Sequence, residues 1–248
     1  MKAPGPTIVV PAGVPGRTKA ERVQAMFGRI VSRYDLMNRI MTFGLDGGWR
    51  REAIASLSPA NGLILDVGTG TGDLAIGIGR AGARDVVGVD FVEDMLRGAR
   101  TKSARCGRSN RIAFAVGDAM GLPFADRTFD GVINGFLLRN VADLAGAVAE
   151  FTRVLKPGGR LVCLEITHAP PLFAPFFGLY FGRIVPLIGS IVTGEPSAYR
   201  YLPESLAPLP SAPRLAQLLH EAGLDRVRYR RLGFGTVAIH VGERPIEP

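Results

Sequence analysis

The chain has few of the residues on which metal, disulfide or redox chemistry is usually built. Of its 248 residues only two are cysteine, Cys106 and Cys163, 57 positions apart, and only three are histidine. No Cys-x-x-Cys pair and no His/Cys spacing suited to zinc occurs. Neither a metal site nor a disulfide framework is expected, and a reducing cytoplasm is the default setting. No fixed-period repeat or long low-complexity tract is present. The first residues, Met1 to Gly16, are rich in proline and glycine and lack a basic segment followed by an unbroken apolar run, so they do not read as a signal peptide. Residues 1–16 are expected to form a flexible tail.

What remains is the composition of a folded domain. Apolar residues make up 47% and charged residues 21%, which supports a large buried core and excludes a mostly disordered chain. The net charge of +8 favours anionic surfaces without naming one. The length suits one large domain, here residues 17–248.

From Gly62 onward, short apolar runs alternate with helical patterns. Strands are expected at Leu63–Val67, Asp85–Val89, Ile112–Val116, Asp130–Asn134 and Arg160–Ile166. Helices are expected at Asp73–Ala81, Glu93–Ser103 and Leu144–Leu155. A further helix at Ala212–Ala222 precedes two alternating runs, Arg226–Arg231 and Thr236–Val241, which read as a closing hairpin. Strands separated by helices of about ten residues form parallel βαβ units. The fold class is therefore α/β, an open doubly wound sheet with ligands at the carboxyl ends of its strands. Two stretches stand outside this alternation. Residues 17–57 look helical, with Val23, Met26, Phe27, Ile30, Tyr34, Met37 and Met41 at spacings of three and four. Residues 170–210 begin apolar and end polar-aromatic. Both are expected to cap the sheet, as a helical N-terminal cap and an apolar substrate lid. Within the second, Leu172–Val192 is 21 nearly all apolar residues, long enough to span a bilayer. Arg183 at its centre and the prolines Pro175 and Pro186 weigh against a span and for a buried helix pair or an interfacial lid.

Three loops at one sheet edge carry the binding chemistry. Leu65-Asp66-Val67-Gly68-Thr69-Gly70-Thr71-Gly72-Asp73 ends a strand and opens a helix. Its glycines let backbone approach a ligand closely. The GxGxG spacing differs from the GxGxxG of dinucleotide folds, so phosphate cradling is not the better reading. Eighteen residues on, Val86-Val87-Gly88-Val89-Asp90 puts a carboxylate at a strand end, where two oxygens match two vicinal ribose hydroxyls. The same Asp90 also suits the cap of the helix that follows. Gly117-Asp118-Ala119 follows the third strand, where an Asp accepts from an exocyclic amine or simply shapes a turn. The three in this order are more specific than any one.

Asp66 to Gly72 with Asp90 and Asp118 resembles the class I S-adenosylmethionine-dependent methyltransferases, whose fold is a Rossmann-like seven-stranded sheet. The resemblance narrows further on. Tyr34-Asp35-Leu36-Met37-Asn38, Phe43-Gly44-Leu45 and Trp49-Arg50 are similar to the N-terminal signature of the ubiquinone/menaquinone biosynthesis C-methyltransferases. Arg153 to Arg160, ending in Leu164-Glu165, resembles their second signature. Arg139-Asn140-Val141 and Tyr199-Arg200-Tyr201-Leu202-Pro203-Glu204-Ser205 also fit. Three positions depart from the pattern: Asp46 stands in place of a usual His, Leu137 in place of a Gly, and Gly135 in place of the Ser of ubiquinone-type members. The last points to the menaquinone side. The resemblance implies S-adenosylmethionine as cofactor. Asp66, Gly68, Gly70, Thr71 and Gly72 would serve its methionine part, Asp90 the ribose, and Asp118 and Ala119 the adenine.

The reaction so implied is C-methylation of demethylmenaquinol to menaquinol. The alternatives are the ubiquinone-pathway benzoquinol or both, another lipid or small molecule, and a non-catalytic cofactor-binding scaffold. A sulfonium methyl is already electrophilic, so the protein has to align the acceptor, exclude water and handle two protons, one from a ring hydroxyl and one from the methylated carbon. Arg139 and Asn140 follow the fourth strand, near the expected point of methyl delivery. Arg139 is no base, but it suits stabilisation of a phenolate, or equally a salt bridge to Asp143. Tyr34 and Asp35 suit hydrogen bonds to the quinol oxygens. His168, Tyr199 and Arg200 are further candidates.

A prenylated quinol is a membrane lipid. Arg17, Lys19, Arg22, Arg29, Arg33, Arg39, Arg50 and Arg51, against Glu21, Asp35 and Asp46, form a basic N-terminal region. Beside an apolar lid, that region suits peripheral contact at the inner face of a membrane from the cytoplasm, or else a solvated helix face. No nucleic-acid partner is expected, because the basic residues lack interleaved aromatic platforms. The sequence sets no oligomeric state.

Overall fold

The computed structural model describes residues 19–107, 111–193, 205 and 208–246. The expected flexible tail, residues 1–16, lies outside them, as do Tyr199 and Arg200.

One seven-stranded sheet organises the chain, in the order β3-β2-β1-β4-β5-β7-β6. β1 (Leu63–Val67) is central and almost wholly buried, as an apolar run flanked on both edges and covered on both faces must be. It pairs in parallel with β2 (Asp85–Asp90) and β4 (Phe129–Gly135). β3 (Ile112–Val116) extends one side. β5 (Leu155–Ile166) extends the other, and β7 (Val237–Glu243) and β6 (Asp225–Leu232) close it as an antiparallel hairpin. The chain runs outward from β1 through β2 to β3, then restarts at β4 on the opposite side of β1. The switch point therefore lies between the carboxyl ends of β1 and β4, where such sheets bind ligands.

Helices cover this sheet on both faces, and their boundaries differ in places from those expected. α3 (Asp73–Arg80), α4 (Glu93–Arg105), α5 (Leu144–Val154) and α8 (Ala212–Glu221) follow the expected pattern. On one face Val148, Phe151, Leu215 and Leu219 of α5 and α8 pack against β1, β4 and β5. On the other, Leu74, Ala75 and Ile78 of α3 do so with Ile64, Ile133 and Val162. β5 begins five residues earlier than expected, because Leu155 already pairs with Phe129 ahead of a register shift.

The N-terminal stretch divides. α1 (Lys19–Met41) and α2 (Asp46–Leu57) are separated by a turn in which Phe43 and Gly44 take positive φ. The whole of 17–57 was expected to cap the sheet, but only α1 lies over its end. Ala53, Ile54 and Leu57 of α2 are buried in the layer beside α3, because their apolar side chains find the sheet face itself. The apolar stretch after β5 forms α6 (Ala174–Leu179), a π-helical turn (Tyr180–Ile184) and α7 (Val185–Thr193). α6 buries none of its residues, which sets aside the buried helix pair. Val185 packs against Met37 of α1, and the Tyr180 hydroxyl donates to the Met41 carbonyl at 3.1 Å. Among the described residues no helix is long and apolar enough to cross a membrane.

Candidate functional site

The turn between β1 and α3 is folded from below and from the side. Gly68 and Thr69 both donate their N–H groups to the Val89 carbonyl, at 2.8 and 3.0 Å. Gly70 donates to Asp90 Oδ2 at 2.8 Å, while Asp90 Oδ1 accepts from Val92 N–H at 2.9 Å. Asp90 thus caps the next helix, as its position allows, and also ties down the glycine turn. Gly68 has φ +68°, and a Cβ there would meet Leu137 Cδ1 at 2.7 Å. Leu137, a departure from the family pattern, is accommodated because position 68 has no side chain. At Gly70, with φ +53°, a Cβ would meet nothing nearer than the Tyr34 ring at 4.0 Å, so the turn presents bare backbone there.

Asp66 lies beneath the turn, fully buried. Its Oδ2 accepts from the Thr69 hydroxyl at 2.6 Å and from Ala75 N–H at 3.0 Å, while Oδ1 is buried without a partner. Burial pushes its carboxyl up to about 7, against the pull of those two donors. Asp90 is also raised by burial, against the backbone donors around it. Asp66 therefore acts on the turn from inside. Asp118 and Ala119 follow β3, whose Val116 lies in register with Asp90. Asp118 is exposed and its Oδ1 accepts from Met120 N–H at 2.9 Å, while Ala119 packs at the edge of the core.

A small cleft at the switch point is lined by Gly68, Thr69, Gly70, Thr71, Gly135 and Phe136, with Tyr34 and Arg50 above. Gly72 lies behind it, where an added Cβ would meet Ala99 at 3.1 Å. At Gly135 a Cβ would meet Leu74 Cδ1 at 2.8 Å, so the glycine leaves Leu74 its room at the cleft.

α1 is pinned to this turn by a cluster that the sequence did not single out. Thr71 donates its hydroxyl to Asp35 Oδ1 at 2.6 Å. Lys102 of α4 donates to Asp35 at 2.5 Å, to Asp73 at 2.7 Å and to Thr71 at 3.0 Å. Burial pulls the Lys102 ammonium down, but the hydrogen bonds and charges of Asp35 and Asp73 outweigh it and hold the group above its ordinary value. Asp35 thus sits on the glycine turn and not at the quinol-facing position expected for it, because Lys102 and Thr71 satisfy both its oxygens. A lysine in the last turn of an amphipathic helix gives no sequence signal of such a role.

Beside the cleft opens an apolar cavity of 590 Å³. Phe173, Phe176, Phe177, Tyr180 and Phe181 form one wall, and Phe43, Trp49, Phe136 and Phe234 contribute others. Tyr34, Arg50 and Phe136 line both spaces, so the cavity and the cleft share a boundary. Arg139 lines the cavity. Its Nε lies 3.4 Å from the Phe136 carbonyl and 3.9 Å from Glu165 Oε1. The alternative pair with Asp143 does not form, because Asp143 caps α5 by accepting from Gly146 N–H at 3.0 Å. Glu165, to which no role was assigned, is 1% exposed, and its Oε2 has no partner. Burial raises its carboxyl, with Arg139 opposing. Asn140 turns its side-chain amide to the Phe136 carbonyl at 3.3 Å and does not line the cavity. His168 is exposed and outside the lining, so it is set aside as a proton acceptor. Asp46, another departure from the family pattern, pairs with Arg50 and accepts from the Thr42 hydroxyl at 3.1 Å.

Residues 16–244 match the ubiE/COQ5 methyltransferase family. A demethylmenaquinone methyltransferase of Roseiflexus castenholzii is 45% identical over 231 residues, 92% of this chain and 95% of that protein. A ubiquinone/menaquinone biosynthesis C-methyltransferase of Desulfotalea psychrophila is 44% identical, over 91% of each. Among solved structures, a SAM-dependent methyltransferase from Thermotoga maritima superposes with a TM-score of 0.65 at 20% identity, over 89% of this chain and 99% of that one, a likeness of fold.

Proposed function

The chain belongs to the ubiE/COQ5 methyltransferase family, and from that membership we propose that it methylates a ring carbon of a demethylmenaquinol, with S-adenosylmethionine as methyl donor. The observation that carries the reading is the shared boundary of two unlike spaces: a glycine-walled cleft at the switch point and a 590 Å³ apolar cavity beside it. One is walled by the glycine turn that would hold the amino-acid end of the donor, and the other suits a flat apolar ring.

The residues present fit the donor. Bare backbone at Gly70 leaves room above the turn. The Asp90 carboxylate stands at the next strand end, and the buried Asp66 Oδ1 lacks a donor. Gly68, Gly70, Thr71 and Gly72 would hold the methionine part, Asp66 supporting them from below. Asp90 would take the ribose hydroxyls, with Asp118 and Ala119 bordering the adenine. Bound there, the donor supplies a methyl group made electrophilic by its sulfonium. The chain's own part is alignment and exclusion of water. The aromatic walls keep the acceptor ring dry, which strengthens every charge that faces it. Arg139 is placed to stabilise the oxyanion that activates the ring, and Tyr34, at the boundary, to orient a ring hydroxyl. Asn140 would act only through the backbone beside Arg139, donating to the Phe136 carbonyl that Arg139 also approaches.

The rim of the cavity supports peripheral contact with a membrane, at its cytoplasmic face. Phe43, Phe176 and Phe234 line the cavity yet are 78%, 73% and 77% exposed, and Leu172, Leu179 and Leu187 stand exposed on the same segment as Phe176. Exposed Arg39, Arg51 and Arg183 accompany them. Water-facing aromatics around a mouth, with arginines near, fit a lipid surface that delivers a tailed substrate.

The test is incubation with labelled S-adenosylmethionine and reduced short-chain demethylmenaquinone, beside the corresponding benzoquinol. Label in the menaquinone fraction is expected. Label in the benzoquinol alone moves the substrate to the ubiquinone series. Label only in phospholipid or simple phenols overturns the quinol reading, and binding without any transfer leaves a scaffold.

A further inference from the structure

We propose that Asp46 is a catalytic proton acceptor of this reaction, taking the ring-hydroxyl proton as the methyl group arrives. The inference rests on the proposed quinol substrate and names the group that activates it. Among the described residues lining the apolar cavity, Asp46 is the only carboxylate, and no histidine lines it. Arg50 and Arg139 cannot take a proton at any working pH. His168 stands outside the cavity, and Asp35 is engaged on the glycine turn. Position 46 begins α2, just after the left-handed turn at Phe43 and Gly44, and it lines the cavity.

Its surroundings suit the task. Asp46 is buried, one oxygen held by the Thr42 hydroxyl at 3.1 Å and the other by Arg50. Arg50 stands over the Phe136 ring, 5.9 Å from its centre, and lines both the cleft and the cavity. Once Asp46 is protonated it no longer holds the guanidinium by charge. The positive charge of Arg50 is then released toward the oxygen that has just lost its proton. Acceptor and stabiliser therefore exchange partners in one event, and no net charge is created in the apolar site.

The O–H proton passes to the Asp46 carboxylate, and the O–H pair forms the ring carbonyl. A ring π pair makes the new carbon–carbon bond to the donor's methyl, and the S–C pair stays on sulfur as the neutral thioether. The proton on the methylated carbon then leaves to water, its pair restores the aromatic ring, and the carbonyl oxygen takes the Asp46 proton back. One proton is released per turnover.

The experiment compares wild type with Asp46→Asn on two reduced acceptors, one plain and one carrying a ring halogen that makes the hydroxyl more acidic, with donor affinity measured by calorimetry. A lost general base lowers turnover by about 10²–10⁴-fold. On the plain acceptor Asp46→Asn is expected to lose at least about a hundred-fold in kcat with donor affinity unchanged, and to recover at least about tenfold of that loss on the acidic acceptor, which needs less help to ionise. A structural role gives the same loss on both acceptors, and that result, or near-normal turnover, overturns the assignment. If Asp46→Asn does not fold, Asp46→Glu replaces it, with a smaller loss and the same narrowing expected. Wild type that methylates neither quinol overturns the substrate reading and this inference together. Wild type active with Asp46→Asn equally active overturns the inference alone.

Discussion

Gly70 donates its backbone N–H to the carboxylate of Asp90 at 2.8 Å, so the turn that ends β1 is held by the residue that ends β2. A binding carboxylate and a binding loop are therefore parts of one folded unit.

Replacing Asp90 with Ala removes that tie, the Val92 cap and the proposed ribose acceptor. Affinity for S-adenosylmethionine is expected to fall by roughly 1.5–3 kcal/mol, the scale of hydrogen bonds to a charged group. Calorimetry on folded variant checks it, and unchanged affinity removes Asp90 from the ribose.

Arg139→Ala is expected to cut turnover while leaving donor affinity near wild type. It also strands Glu165, which is 1% exposed and draws on the Arg139 charge. A loss of about 1–3 kcal/mol in unfolding free energy should accompany it. The double variant Arg139→Ala/Glu165→Gln should regain stability and not turnover. Denaturant unfolding with single-turnover kinetics separates the two, and a double variant no more stable than Arg139→Ala refutes the dependence of Glu165 on Arg139.

Asp66 gives a pH signature. Its folded carboxyl is raised from 3.8 to about 7, so between those values the folded state binds the extra proton. That contribution to stability is fully present below the lower value and is lost as pH rises through about 7. Thermal unfolding of wild type should therefore weaken between pH 5 and pH 8 more than that of Asp66→Asn, in which the group does not titrate. Equal pH dependence in the two proteins would show that Asp66 is not buried in its protonated form.

The exposed rim predicts a dependence on how the substrate is presented. Leu172→Ser/Leu187→Ser, at exposed positions outside the cavity lining, should reduce turnover of a long-tailed acceptor in anionic vesicles by about tenfold or more, given roughly 1.5–3 kcal/mol for each large side chain placed in an apolar phase. Turnover of a short-chain acceptor in solution should change little. Parallel loss on both would show that the two leucines act on the folded enzyme and not at a lipid surface.

Much of this was legible in the sequence, for physical reasons. β1 announces itself because a central parallel strand is apolar on both faces, and Asp90 because a carboxylate ending such a strand has few other uses. The glycine turn was visible for the same reason: bare backbone needs glycine. What stayed hidden depends on distance in space. Lys102 reaches Asp35 across 67 positions, and no periodicity encodes a contact between two helices so far apart. Glu165 was in view as part of a signature, yet its isolation from solvent follows only from β7 pairing beside β5. Residues 17–57 showed helical spacing but not where the helices divide, since the turn at Phe43 and Gly44 has no proline to mark it. Asp46 stood out as a departure from a pattern, and its pairing with Arg50 became apparent only with the cavity around it.

β6 carries four exposed arginines, Arg226, Arg228, Arg230 and Arg231, along the open margin of the sheet. A second molecule laid against that margin would bring its own backbone to about 5 Å, the spacing of neighbouring strands, with arginine-bearing strands side by side. Like charges so placed oppose one another. Even with Arg226 paired to Glu243 and Arg230 to Glu52, the positive charge at this margin disfavours the addition of a further strand.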